Sequence, residues 1–168
     1  MMMAVLFIGI PMETSFQESR VALTPSGVQV LTDNGHEVWV EVNAGQSAGF
    51  SNHDYSEAGA RIVDTAKEVF QAQVVLKVEP PSLDEVKLMT RRQLLISALQ
   101  LSIQPEDFLR QLIDKKITAV AWDYLQGADG SYPLVTAMGE IAGNTSVLIA
   151  AEYLSKVNNG LGAMLGGI

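Results

Sequence analysis

Cysteine is absent from this chain of 168 residues. Without it there is neither a disulfide framework nor a thiolate metal site, which fits a reducing compartment. Histidine is almost as scarce. His36 and His53 are too few and too isolated for a metal cluster, so they read as surface or loop residues and no metal is expected. Basic residues are outnumbered, 11 against 19 acidic ones, for a net charge of −8. Binding a phosphate backbone needs a basic footprint, so nucleic acid is not expected as a partner. Long apolar runs are missing too. The opening stretch Met1–Ile10 has no positively charged leader, ends at Pro11 and is too short to span a bilayer. Val147–Ala151 runs straight into Glu152. No membrane partner is expected, and the setting reads as cytoplasmic.

What is present is apolar residue, 48% of the chain, beside 18% charged. That is too hydrophobic for disorder and enough to fill one core of ordinary size. Short β-branched runs alternate with helical segments. Strands are predicted at Ala4–Ile10, Glu37–Val42, Ala60–Val63, Val74–Val78, Gln93–Leu99 and Ile117–Trp122. Between them the pattern predicts helices from Thr24-Pro25 to Asn34-Gly35, over Tyr55–Gly59, Thr65–Phe70 and Leu83–Met89, and from Pro105 to Asp114. A final Ala-rich helix is predicted from Glu140 to Val157. Strands separated by helices imply β-α-β crossovers. The expected fold is therefore α/β, a three-layer α/β/α arrangement of flavodoxin-like or Rossmann-like type around a mostly parallel sheet.

Two cations stand out against the acidic background. Arg20 is the only Lys or Arg in the first 60 residues, among Glu13, Glu18, Asp33, Glu37, Glu41, Asp54 and Glu57. It follows the first strand, at the edge where parallel sheets bind ligands. There it either grips a carboxylate through two parallel hydrogen bonds or pairs with Glu13 or Glu18 on the surface. Lys77 interrupts the apolar run Val74-Val75-Leu76 close to its exit from the sheet. It either reaches the same edge or sits at the strand end with Glu79 as a solvated partner. Ser97, Ser102 and Thr145 have no histidine near them in sequence, so no nucleophile arrangement emerges.

Neither glycine-bearing stretch is a dinucleotide fingerprint. In Asn43–Gly49 the glycines are not spaced as G-x-G-x-x-G. Gly160-Leu161-Gly162 with Gly166-Gly167 comes closer, but it follows a helix and no phosphate-binding helix follows it before Ile168.

Several stretches in order resemble the N-terminal domain of the alanine dehydrogenase/pyridine nucleotide transhydrogenase family. They are Gly9-Ile10-Pro11 with Glu13, Glu18–Pro25, Gly35–Val38, Asn43–Gly45, Asp54-Tyr55 with Ala58–Ala60, Val75–Pro80, Met138–Gly143 and Leu165–Ile168. The pattern is more similar to alanine dehydrogenase than to the transhydrogenase subunit. The resemblance implies a two-domain enzyme that interconverts L-alanine with pyruvate and ammonia using NAD, with a small amino or 2-oxo acid as partner and a homo-oligomeric assembly. By position it implies that Arg20 grips the substrate carboxylate, that Lys77 contacts the carboxylate or carbonyl oxygen as a catalytic residue, and that Met138 lines the nicotinamide side.

Two departures qualify it. Gln100 stands where the family commonly has a catalytic histidine. An amide can orient a substrate but cannot act as general acid or base. Proton transfer then falls to Lys77, a water or a carboxylate from another domain. The chain also ends where a dinucleotide domain is expected to begin. The reading therefore assigns residues 1–138 to the substrate-binding portion and 139–168 to a linker helix and exit. It expects no NAD bound to this segment and no activity from it alone.

Overall fold

The computed structural model describes residues 4–166. The start of the opening apolar run and the last two residues of the Leu165–Ile168 stretch lie outside the described residues. Residues up to Trp122 form one compact unit, and those from Asp123 form a second.

The first unit is built on six strands: β1 (Phe7–Ile10), β2 (Glu37–Glu41), β3 (Arg61–Val63), β4 (Val74–Leu76), β5 (Leu94–Ser97) and β6 (Thr118–Ala121). Every pairing is parallel, and the order across the sheet is β3-β2-β1-β4-β5-β6. The connections carry α1 (Pro25–Asp33), α2 (Asn52–Glu57), α3 (Ala66–Val69), α4 (Leu83–Leu88) and α5 (Glu106–Asp114). Successive strand residues face opposite sides, so the central strands β4 and β5 serve two cores. Val74, Leu76, Leu94 and Ile96 pack with Val28 of α1 and Tyr55 of α2. Val75 and Leu95 pack with Phe70, Val86 of α4 and Phe108 and Leu112 of α5. The three-layer α/β/α fold expected from the sequence is what forms.

Local chemistry sets the element ends. Thr24 accepts the N–H of Gly27 and Pro25 opens α1, while Gly35 (φ +83°) takes the left-handed turn that ends it. Three more helices start on capping boxes, Ser51 with Asp54, Thr65 with Glu68 and Ser82 with Glu85. Gly9 is dictated by a close approach, since a Cβ there would meet the Val69 carbonyl oxygen at 2.5 Å. β4 ends at Leu76, short of the expected Val78, as the chain turns toward Pro80 and Pro81.

The second unit is dominated by α6 (Pro133–Leu154), of 22 residues. It begins ahead of the expected Glu140 because Pro133 supplies a helix start, and it ends before Val157 in a short 3-10 turn, Lys156–Asn158, closed by left-handed Asn159 (φ +59°). By length and composition, with a mean hydropathy of 1.3, it is long and apolar enough to cross a membrane. Residue 138 falls inside α6, so the portions expected on either side of it share one continuous helix.

Tyr55 anchors the first core. It is fully buried, its hydroxyl donates to the Leu23 carbonyl at 2.8 Å, and burial pushes its pKa up to about 12. Alkaline titration followed by ultraviolet absorbance should leave one of the four tyrosines un-ionised until pH is near 12. Tyr55→Phe should lose that late step and cost about 1 kcal/mol in denaturant unfolding, the usual worth of one hydrogen bond.

Candidate active site

Open parallel sheets bind ligands outside the carboxyl ends of their strands, where the strand order reverses. Here that point lies between β1 and β4. Arg20 is in the connection leaving β1, Lys77 directly follows β4, and Gln100 follows β5. Three of the four residues singled out from the sequence therefore share one sheet edge. The fourth, Met138, is carried by α6 of the second unit and is partly exposed there.

Lys77 has no solvent exposure. Its Nζ lies 3.0 Å from Glu85 Oε1 and 3.2 Å from Glu13 Oε2. A solvated pairing with Glu79 is not what forms. Glu85 belongs to the capping box of α4, and its second oxygen accepts the Ser82 N–H at 2.7 Å and the Thr14 hydroxyl at 3.2 Å. Glu13 also accepts the N–H groups of Val78 (2.6 Å) and Glu79 (3.4 Å). Burial pushes the Glu13 pKa up, against the opposing pull of Lys77 and those N–H groups. Burial raises Glu41 as well, against the N–H that Met12 donates to it. Ser97 falls one residue beyond the Leu76–Ile96 pair, beside Lys77, and its buried hydroxyl has no hydrogen-bond partner among the described residues.

Arg20 meets Glu18 side-on. Its Nε lies 2.9 Å from Oε1, Nη2 bonds Oε2, and its own N–H donates to Oε1 at 2.8 Å. Nη2 also lies 3.2 Å from Glu79 Oε1. The pairing with Glu18 is what forms, with the Glu18 side chain 8% exposed and that of Arg20 49% exposed. The Arg20 hydrogen bonds hold the Glu18 carboxyl below its ordinary range, and Glu18 in turn raises Arg20. Gln100 donates from Nε2 to Glu79 Oε2 at 3.0 Å and sits at φ +47°, the left-handed region.

Sequence reasoning missed Glu85, Glu79 and Ser97 as members of this edge. Glu85 carried a usable signal, since Ser82-x-x-Glu85 is a capping-box pattern just past Lys77. The turn after β1 is Pro11-Met12-Glu13, not glycine-rich, and Glu13 occupies the N–H groups of Val78 and Glu79. A pyrophosphate would meet a carboxylate there, so this edge does not fit NAD.

Residues 9–142 match the family described as alanine dehydrogenase/PNT, N-terminal domain. The chain belongs to this family. It is 43% identical over 161 residues to an alanine dehydrogenase of Staphylococcus epidermidis, covering 96% of this chain and 43% of that protein. An alanine dehydrogenase of Methanococcus maripaludis is 42% identical over 164 residues, covering 97% and 44%. Among solved structures, an L-alanine dehydrogenase superposes with a TM-score of 0.90 at 40% identity, covering 96% of this chain and 44% of that one. A transhydrogenase from Sinorhizobium meliloti gives 0.65 at 27% identity, over 70% and 34%. The chain thus spans less than half the length of the curated relatives it matches. As an alanine dehydrogenase/PNT N-terminal domain, it stands closer to the dehydrogenases in both sequence and fold.

Two outcomes test this geometry. Glu18 has a folded-state pKa below its ordinary 4.5, so its contribution to stability is present above pH 4.5 and is lost as pH falls through the depressed value. The melting temperatures of the wild type and Glu18→Gln should therefore differ near neutrality and converge in acid. At position 100 a left-handed backbone costs alanine about 1–2 kcal/mol and glycine almost nothing. Gln100→Gly should accordingly unfold at higher denaturant than Gln100→Ala; the reverse order would contradict the observed backbone.

Proposed function

We propose that this chain is the N-terminal, substrate-binding part of an NAD-dependent alanine dehydrogenase, which converts L-alanine to pyruvate and ammonium reversibly. The observation that carries the reading is that Arg20 follows β1 and Lys77 follows β4, the two strands that flank the switch point of the sheet, in a chain of this family. Arg20 takes the substrate carboxylate in a two-point hydrogen-bonded pair. Lys77, buried between Glu13 and Glu85, provides the second positive charge from behind them, for the carboxylate or carbonyl oxygen. Gln100 orients by hydrogen bonding and moves no proton. NAD is held by a further domain that follows residues 139–168, with Met138 on its nicotinamide side. Residues 1–138 supply the substrate half, the protein works in the cytoplasm, and it assembles as a homo-oligomer in which α6 is covered by protein rather than lipid.

Assay of the longer protein with pyruvate, ammonium and NADH tests the reading. NADH oxidation is expected, and Arg20→Ala should lower kcat/KM by about a hundredfold, as removal of a charged two-point contact does. No oxidation would overturn the alanine assignment. The 168-residue chain alone should give no calorimetric signal with NAD. Gln100 in the histidine position favours a second reading, a non-catalytic module for small carboxylates. Activity that collapses on Arg20→Ala would reject it.

A further inference from the structure

The connection leaving β1 is fastened at three residues in a row, and each fastening is a carboxylate. Met12 donates its N–H to Glu41 Oε2 at 2.9 Å. Glu13 Oε2 lies 3.2 Å from Lys77 Nζ, and the same side chain accepts the N–H groups of Val78 and Glu79. The Thr14 hydroxyl donates to Glu85 Oε2 at 3.2 Å. The register explains why these groups meet. Ile10 pairs with Val40 and Gly9 with Val75, so Glu41 and Lys77 fall on either side of Pro11. Met12, Glu13 and Thr14 thereby tie the end of β2, the end of β4 and the first turn of α4 to one short segment.

Three carboxylates share this place with one ammonium. Lys77, Glu13 and Glu85 are buried and Glu41 is partly buried, so water does little to separate their charges. Fully ionised, the three carboxylates against Lys77 leave two negative charges in excess. The neighbouring elements bring little relief. Arg20 acts on Glu13 from further along the connection, but it is held by Glu18 and Glu79. From α3, Glu41 receives the Ala66 N–H, while Glu68 is engaged by Thr65 and Lys67 is exposed. Beyond β2, Arg61 lies over Trp39 and Asp64 is exposed. On α4, Asp84 and Lys87 pair with each other at 2.7 Å, and β5 presents the uncharged Ser97. Like charges so placed make the last ionisation harder than the first. Burial raises both Glu13 and Glu41, and the charge of Glu85 raises Glu41 further.

We propose that Glu13, Glu41, Glu85 and Lys77 form a proton-controlled clasp on the connection after β1. The closed clasp shares one proton among its carboxylates, and losing that proton as the pH rises loosens Met12, Glu13 and Thr14. The direction follows from linkage. A carboxyl whose folded value lies above its ordinary 4.5 lends stability below 4.5 and loses it as pH rises through the raised value. The clasp is therefore tightest in acid, the opposite of the Glu18 pairing, which acid removes. This proposal concerns the support of the edge and is independent of which ligand the edge receives.

The test is a nuclear magnetic resonance pH titration of the 168-residue chain. The backbone N–H signals of Met12 and Val78, which donate to Glu41 and Glu13, should titrate with midpoints above 4.5. Corrected for the intrinsic exchange rate, protection of the Met12 N–H should fall about fivefold as pH rises through its midpoint, the effect of one added like charge in a partly buried place. Glu85→Gln removes a charge but keeps the capping box, which takes glutamine at that position as readily. It should bring the Met12 midpoint down towards 4.5. Glu41→Gln keeps an acceptor for the Met12 N–H without the charge. It should unfold at higher denaturant than the wild type above the midpoint, and at the same denaturant in acid. A Met12 midpoint at or below 4.5 would overturn the proposal, and that measurement needs no variant to fold. So would a midpoint that Glu85→Gln leaves in place, or a Glu41→Gln chain no more stable than the wild type above the midpoint.

Discussion

An ammonium taken wholly out of water carries a desolvation penalty of several kcal/mol unless carboxylates meet it, and Lys77 is met by two. That requirement organises the edge of the sheet. One carboxylate comes from the connection after β1 and the other from the first turn of α4, so the ion pairs tie two segments to the end of β4. Glu85 can serve only because α4 begins at Ser82, which places the same side chain in the capping box and beside the lysine. Glu13 in turn fixes the backbone of Val78 and Glu79. The turn after β1, which holds pyrophosphate in dinucleotide-binding sheets, is here committed to an internal carboxylate.

The same logic extends to Arg20, though in a wetter place. Its guanidinium is secured by Glu18 and Glu79 and is still half exposed. Two cations and four carboxylates thus interlock in the segments that follow β1 and β4. The chain's acidity reads differently in this light. Part of its excess negative charge is the supporting structure of these two cations, and it does not describe the partner the edge receives.

Much of the fold is legible in the sequence because buried parallel strands read as continuous apolar runs and because helix caps have short local signatures. Thr24-Pro25, Asn34-Gly35 and Pro105 mark ends that the structure keeps within a residue. Arg20 is conspicuous by charge alone, and Lys77 by interrupting Val74-Val75-Leu76. What local patterns cannot carry is the strand order. The adjacency of β4 to both β1 and β5 is set by packing across the whole sheet, and it alone brings Glu79 to Arg20 and Gln100. The start of α6 is obscured for another reason: its apolar residues are spread around the helix, so no amphipathic stripe marks the boundary, and only Pro133 does.

The central position of β1 has a consequence for how the protein is made. β2 follows β1 through one helix, but its other neighbour is β4, with Ile8 beside Val74. During synthesis one flank of β1 therefore stays open until more than a third of the chain has followed it from the ribosome. Arg20 is among the first charged residues to emerge, while Glu79 and Gln100 come much later. Contacts between residues so distant along the chain must be reached against loop-closure entropy, and parallel sheets form slowly for that reason. The ligand edge is thus a late product of folding, complete only when the fifth strand has docked. A nascent chain stalled before Glu79 has emerged exposes an unpaired flank of the central strand and a guanidinium that still lacks that carboxylate.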